Sequence, residues 1–348
     1  MGSFRKSALA LAALLFAHCM ILLAGFFAPY GFDTQNRTLA FAPPTHVHFV
    51  DAQRQFHLRP FVYLLTLRAG SFTDYQEDRT AAFPIRFFVS GAPYKLFGLF
   101  ASRRHLFGVD GQARFFLLGT DAFGRDEFSR LLYGGQTSLF AGLLATVFSV
   151  SLGSILGTLA GYYGGRVDDL IMRTTEVFLT IPWLYLLLFV RAFLPVQIDG
   201  TEVFLLLVTV VGILGWARPA RLIRGVVLSA KESEYVLAAR GFGASDFYLM
   251  RKHILPQASG VIAAQTALYI PQYVLAEVSL SYFGLGVSEP TPSWGNMLAG
   301  LQQYFVLESC WWLFAPAAAL IAVFLAYQHF LSEYATKTLT RTRTRSDS

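Results

Sequence analysis

The chain has 348 residues, 54% of them apolar and 14% charged, and 28 Lys and Arg against 22 Asp and Glu give a net charge of +6. A soluble domain carries about 25% charged residues, so this composition excludes a disordered chain, argues against a soluble enzyme and points to a membrane. Two cysteines, Cys19 and Cys310, exclude a disulfide framework, and the basic residues lie between apolar segments, as membrane orientation requires and nucleic-acid binding does not.

Met1 to Lys6 followed by an apolar run has the outline of a signal peptide. The run is long enough to cross a bilayer core of roughly 30 Å. The reading is a cytoplasmic N-terminus at 1–7 and an uncleaved first transmembrane helix at 8–29.

Residues 30–118 mix aromatics with Arg, Asp, Gln and turn residues. Phe56-His-Leu-Arg, Phe61-Val-Tyr-Leu-Leu and Phe87-Phe-Val are short and strand-like. They predict a small β-rich extracytoplasmic insert after the first helix. Its arginines do not oppose that placement, because long loops escape the positive-inside rule.

Residues 119–335 read as a core with five further helices. Thr120 or Asp121 can cap a short helix through Arg130, with Phe128, Leu131 and Leu132 on one face and Asp126, Glu127 and Arg130 towards water. That helix is expected at the outer membrane surface. Charge-free stretches place spans near 137–160, 170–191, 203–217, 258–280 and 311–331. Pro182, Pro271 and Pro316 are tolerable there because neighbouring helices satisfy the freed carbonyls. Gly153 and Gly157 form a small-xxx-small pair suited to close helix packing. Lys and Arg in the short loops place both termini, 161–170 and 218–256 in the cytoplasm. The fold class is thus an all-α polytopic membrane protein with six transmembrane helices and a β-rich insert.

Within the cytoplasmic loop 228–256, Val236, Ala239 and Arg240 are helix-compatible, Gly241 and Gly243 end the helix, and Ser245 and Asp246 can cap a second before Pro256. Ala238, Ala239 and Gly243 are small enough for a partner to approach closely. Glu277 stands near the outer end of the fifth span, lining a path or pairing with a neighbouring helix. Pro290, Pro292 and Trp294 form a rigid outer loop with an aromatic interface anchor; a gate or docking ledge is the functional alternative. The tail 336–348 alternates Thr with Lys or Arg and reads as disordered.

None of the five lysines follows a glycine, so the sequence holds no Gly-Lys-Ser/Thr phosphate loop. It also lacks His-Glu-x-x-His and Gly-x-Ser-x-Gly. No catalytic, cofactor or metal site is expected in this chain.

Ala238-Ala239, Gly243 and then Leu255-Pro256 resemble the EAA loop of ABC importer permeases. Leu237 stands where the motif has Glu, and His253 where a branched apolar residue is usual. Leu118-Gly-Thr-Asp-Ala-Phe-Gly-Arg-Asp-Glu-Phe-Ser-Arg130, Gly161-Tyr-Tyr-Gly-Gly-Arg-Val-Asp168, and Ser279 to Val287 followed by Pro290-Thr-Pro-Ser-Trp-Gly295 are similar to the C-type permeases of dipeptide and oligopeptide importers. The resemblance covers about 118–335. It implies a type I importer permease of the inner membrane, with Glu234 to Asp246 as the helix that couples it to ATP-binding subunits. The ATPase-coupling residues are then Glu234, Ala238, Ala239, Gly243, Asp246, Leu255 and Pro256, and Glu277, Pro292 and Trp294 are candidates for the path or gate. It further implies a second homologous permease, two ATP-binding subunits that hold ATP and Mg, and an extracytoplasmic binding protein. Nickel, glutathione and antimicrobial-peptide importers share these motifs. A secondary transporter and a non-transporting membrane scaffold are the rival classes; ATP dependence separates both from the importer.

Overall fold

The computed structural model describes residues 2–329 apart from 69, 72, 97–98, 183–184, 187 and 190–199. The tail 336–348 and the outer end of the expected third span lie outside the described residues. The chain forms two units. One, the β-bearing unit, comprises Ala12–Ser138 and Val278–Val323; the other, the helical unit, is built around Leu139–Glu277.

The β-bearing unit takes in most of helix α1 (Gly2–Leu22) and the single turn α2 (Ala24–Phe27). An antiparallel sheet in the order β1 (His48–Val50), β2 (Phe56–Leu67), β3 (Tyr75–Leu96), β4 (Phe100–Val109) follows. The expected β-rich insert is therefore present, but the three short segments belong to long strands. β3 pairs with β2 as far as Pro84 and with β4 from Ile85 onward. Proline has no N–H to donate to a ladder, and the change of partner falls there. Val62, Ile85, Ala113 and Phe115 form the core beneath the sheet. Buried His105 ties β4 to α2, its two ring nitrogens 2.5 Å from the Ala28 carbonyl and 2.9 Å from that of Ala92.

Helix α3 (Glu127–Tyr163) contributes to both units. It is one 37-residue helix, so the short surface helix expected through Arg130 does not exist separately. Its cap is Asp126, whose carboxylate accepts the Ser129 N–H at 2.8 Å and hydroxyl at 2.6 Å, not Thr120 or Asp121. Thr120 instead bonds the Leu39 carbonyl and the Ala42 N–H. The same unit holds α10 (Trp294–Ala299), α11 (Tyr304–Ser309) and the start of α12 (Trp311–His329).

The helical unit contains α4 (Gly165–Thr180), α5 (Gly200–Gly215), α6 (Ala217–Ala230), α7 (Glu234–Gly241), α8 (Asp246–Leu249) and most of α9 (Ser259–Tyr282). A π turn (Met250–Ile254) and a 3-10 turn (Leu255–Ala258) join α8 to α9. The basic stretch from 218, expected as loop, is helical to Ala230. Pro219 sits in the first turn of α6, where a missing N–H costs nothing, and Ala220, Ile223 and Val227 form its fully buried stripe. Three glycines of α3 admit this stripe. A Cβ on Gly153 would stand 2.8 Å from the Trp216 carbonyl oxygen, one on Gly157 3.0 Å from Ala220 Cα, and one on Gly161 2.8 Å from the Val227 side chain.

Among the described residues, Glu127–Tyr163, Phe204–Ala230 and Trp311–His329 are long and apolar enough to cross a membrane, with mean hydropathy of 2.1, 1.5 and 1.6. The expected 258–280 span is helical as α9, but it carries Gln265, Gln272 and Glu277 among its apolar residues.

Candidate functional site

The α6–α9 connection builds a small helical knob at the end of α3. α7 ends at Gly241, and Gly243 takes φ +84°. Its N–H donates to the Arg240 carbonyl at 2.9 Å and that of Ala244 to the Ala239 carbonyl at 3.1 Å. A residue with a Cβ resists this left-handed turn. Ser245 then caps α8 by accepting the Tyr248 N–H. Val236, Leu249 and Ile254 are fully buried against Ile223, Val227 and Tyr162.

Polar bonds fasten the knob. The Tyr162 hydroxyl donates to Asp246 at 2.5 Å and accepts from Arg240 Nη2 at 2.9 Å, with the guanidinium 5.4 Å from the ring centre. Lys231 Nζ donates to the Gly161 carbonyl at 3.0 Å. Arg224 makes a two-pronged bond to Asp168; the guanidinium hydrogen bond holds that carboxyl below its ordinary value.

The structure brings the seven loop residues into this one element. Glu234, in the first turn of α7, and Ala238 are exposed, while Ala239 is half-buried against the core. Gly243 is the turn, Asp246 the contact to Tyr162, and Leu255 and Pro256 open the 3-10 turn towards α9. The outward surface is larger and more aromatic than the small residues foretold. Phe242 is 93% exposed and Phe247 70%, with Tyr235 and Leu237 beside them. Tyr162 and Arg240 went unassigned in the sequence, although Tyr162 lies within the quoted Gly161–Asp168 motif.

The three path or gate residues are all buried. Glu277 belongs to the helical unit, and Pro292 and Trp294 to the β-bearing unit. Trp294 is not an interface anchor. It is 1% exposed, its indole N–H donates to the Leu131 carbonyl at 3.0 Å, and its backbone N–H donates to Ser138. Ser293 and Asn296 form a reciprocal capping box that turns the ring inward.

The outer turn 119–126 also differs from expectation. Asp126, Glu127 and Arg130 are buried, not turned to water. Asp121 bonds Arg125 at 2.7 Å, and Glu289 bonds Arg125 at 2.5 Å and Arg130 at 2.8 Å. Carboxylates on both sides thus allow two guanidinium groups to be almost wholly buried. Burial pushes the Asp126 carboxyl up to about 7, against the lowering hydrogen bonds from Ser129.

Residues 153–337 match the family model described as "Binding-protein-dependent transport system inner membrane component". Over 201 residues the chain is 42% identical to the dipeptide transport system permease protein DppC of Bacillus subtilis, covering 57% of this chain and 60% of that protein. Over 200 residues it is 38% identical to the oligopeptide transport system permease protein OppC of Bacillus subtilis, covering 57% and 63%. A probable D,D-dipeptide transport system permease protein of Escherichia coli is 37% identical over 214 residues, covering 61% and 69%. The aligned part of the chain thus spans 60% and 63% of the length of the first two relatives. The family match includes the glycine stripe of α3 and the whole knob. With apolar helices of spanning length and a family match over more than half its residues, the chain belongs to the binding-protein-dependent transport system inner membrane components, a family of membrane permeases and not of enzymes.

Proposed function

We propose that the chain is the permease subunit of an ATP-driven importer of di- or oligopeptides. It forms half of a translocation path and couples to ATP-binding subunits through the α7–α8 knob. One observation carries the coupling role: Phe242 and Phe247 are exposed on an element whose inner face is fully buried and pinned to α3 and α6. Such an element transmits a push on its outer face to the spanning helices as a rigid body. Peptide as cargo rests on the names of the dipeptide and oligopeptide permeases it resembles.

In this reading six helices cross the inner membrane, both termini and the knob face the cytoplasm, and the β-bearing insert lies outside. The partners are a second homologous permease, two ATP-binding subunits and an extracytoplasmic binding protein. The ATP-binding subunits hold ATP and Mg. Closure of those subunits draws the coupling elements together, and the spanning helices open outward to receive substrate.

The test is co-purification from gently solubilised membranes by an affinity tag. Wild type is expected to bring down a second permease and phosphate-loop ATPases. Phe242→Asp should lose the ATPases and keep the second permease, since so exposed a side chain has few internal contacts to forfeit. Gly243→Leu should act in the same direction by straining the turn. Recovery of wild-type chain alone, with uptake independent of ATP, overturns the proposal.

A further inference from the structure

A cavity of about 230 Å3 lies in the β-bearing unit, where the start of α3 faces the segment from Glu289 to Gln303. We propose that this cavity is a subsite for the α-ammonium group of a peptide, with Glu127 as its counter-ion. The inference rests on the peptide-importer reading above and adds a recognition site to it.

The argument begins with charge pairing. Arg125 and Arg130 are matched by Asp121 and Glu289. Glu127 is a third acid on the same cavity, and it is 2% exposed. Among the described residues its carboxylate takes part in no hydrogen bond or ion pair; burial and the nearby Asp121 disfavour its charge, and Arg130 and Arg125 offset this only in part and at longer range. A buried carboxylate without a bonded partner costs several kcal/mol. Without a ligand, a proton can relieve that cost; a cationic ligand on the cavity wall would relieve it in the ionised form.

The surroundings select the cation. Among the described residues no group of three or more His, Cys, Asp or Glu side chains could hold a metal ion. Asp121, Glu127 and Glu289 therefore do not converge as a metal cage would demand. Phe41, Met297 and Leu313 supply apolar wall, which suits an ammonium carried on carbon better than a hydrated inorganic ion. Gln303 is exposed at the rim and brings an amide to the same cavity, where it can bond the first peptide group of the ligand.

The experiment is calorimetric titration of the full chain, purified in lipid nanodiscs with whatever partners accompany it and without binding protein. The probes are alanyl-alanine, its N-acetyl form and n-butylamine. Alanyl-alanine is expected to bind at least about tenfold more tightly than the N-acetyl form, the worth of one charged hydrogen bond. Glu127→Gln, nearly isosteric, should bring alanyl-alanine down to the N-acetyl level. Gln303→Trp, which fills the rim without touching the buried charges, should weaken both. Equal binding of the two dipeptides, no binding of either, or an unchanged titration in Glu127→Gln overturns the proposal and leaves Glu127 as a complement to the helix dipole. Equally tight n-butylamine overturns it too, because the site would then read a bare primary ammonium such as a lysine side chain. Failure of the importer reading shows elsewhere, as loss of ATPase co-purification, so the two failures are distinguishable.

Discussion

At the scale of single residues, Asp126 links burial to pH. Its carboxyl is raised to about 7 from an ordinary 3.8. Between those values the folded chain keeps a proton that the unfolded chain has lost. Unfolding free energy therefore falls as pH rises through that window and levels off above it. Asp126→Asn should flatten this slope, as read by thermal melting in detergent between about pH 4 and pH 8. A slope unchanged by the substitution would mean another group sets it. Tyr162 is the second residue with a sharp consequence, because its hydroxyl bonds Asp246 and Arg240 together. Hydrogen bonds to charged groups contribute about 1.5–3 kcal/mol each. In a double-mutant cycle, Tyr162→Phe and Asp246→Asn should give a coupling of about 1 kcal/mol or more; additive losses would show that the bond does not hold the knob.

At the scale of elements, the packing of α3 against α6 depends on the absence of side chains at Gly153, Gly157 and Gly161. The nearest neighbours of Gly157 are backbone atoms of Ala220, which cannot swing aside as a long side chain would. Gly157→Leu should therefore cost at least about 1–3 kcal/mol, read as a lower melting temperature or loss of the monodisperse peak. Gly225, for which a Cβ would meet nothing within 4 Å, supplies the control: Gly225→Ala should be neutral or slightly stabilising. The long β3 illustrates a different element-level rule. One strand serves two ladders because its partner changes at Pro84.

For the whole molecule, the proposed topology puts β1–β4 and the knob on opposite sides of the membrane. Single cysteines at exposed Phe100 and Phe247 test it. An impermeant maleimide added to intact spheroplasts should label the first and not the second, and inverted vesicles should reverse the result. Labelling of both from one side would overturn the six-span arrangement. The same preparation, with Cys19 and Cys310 replaced, provides the background.

The membrane class and the knob were legible in the sequence because they rest on local quantities. An apolar run, a charge-free interval or a Gly-x-Gly after a helical stretch has the same meaning wherever the chain later folds. Gly153 and Gly157 were legible as a packing pair for that reason, and Ser245 as a cap. Trp294, Arg130 and Glu127 were not, since local reading assigns an aromatic to the interface and a charge to water. Only tertiary structure reversed those assignments: Glu289, more than 150 residues from Arg130 along the chain, supplies the counter-charge, and Leu131 and Ser138 supply the partners that let the indole and its backbone turn inward. Burial of a polar group depends on what the fold brings to meet it, and such a partner, distant in sequence, leaves no mark on the residues around the group it satisfies.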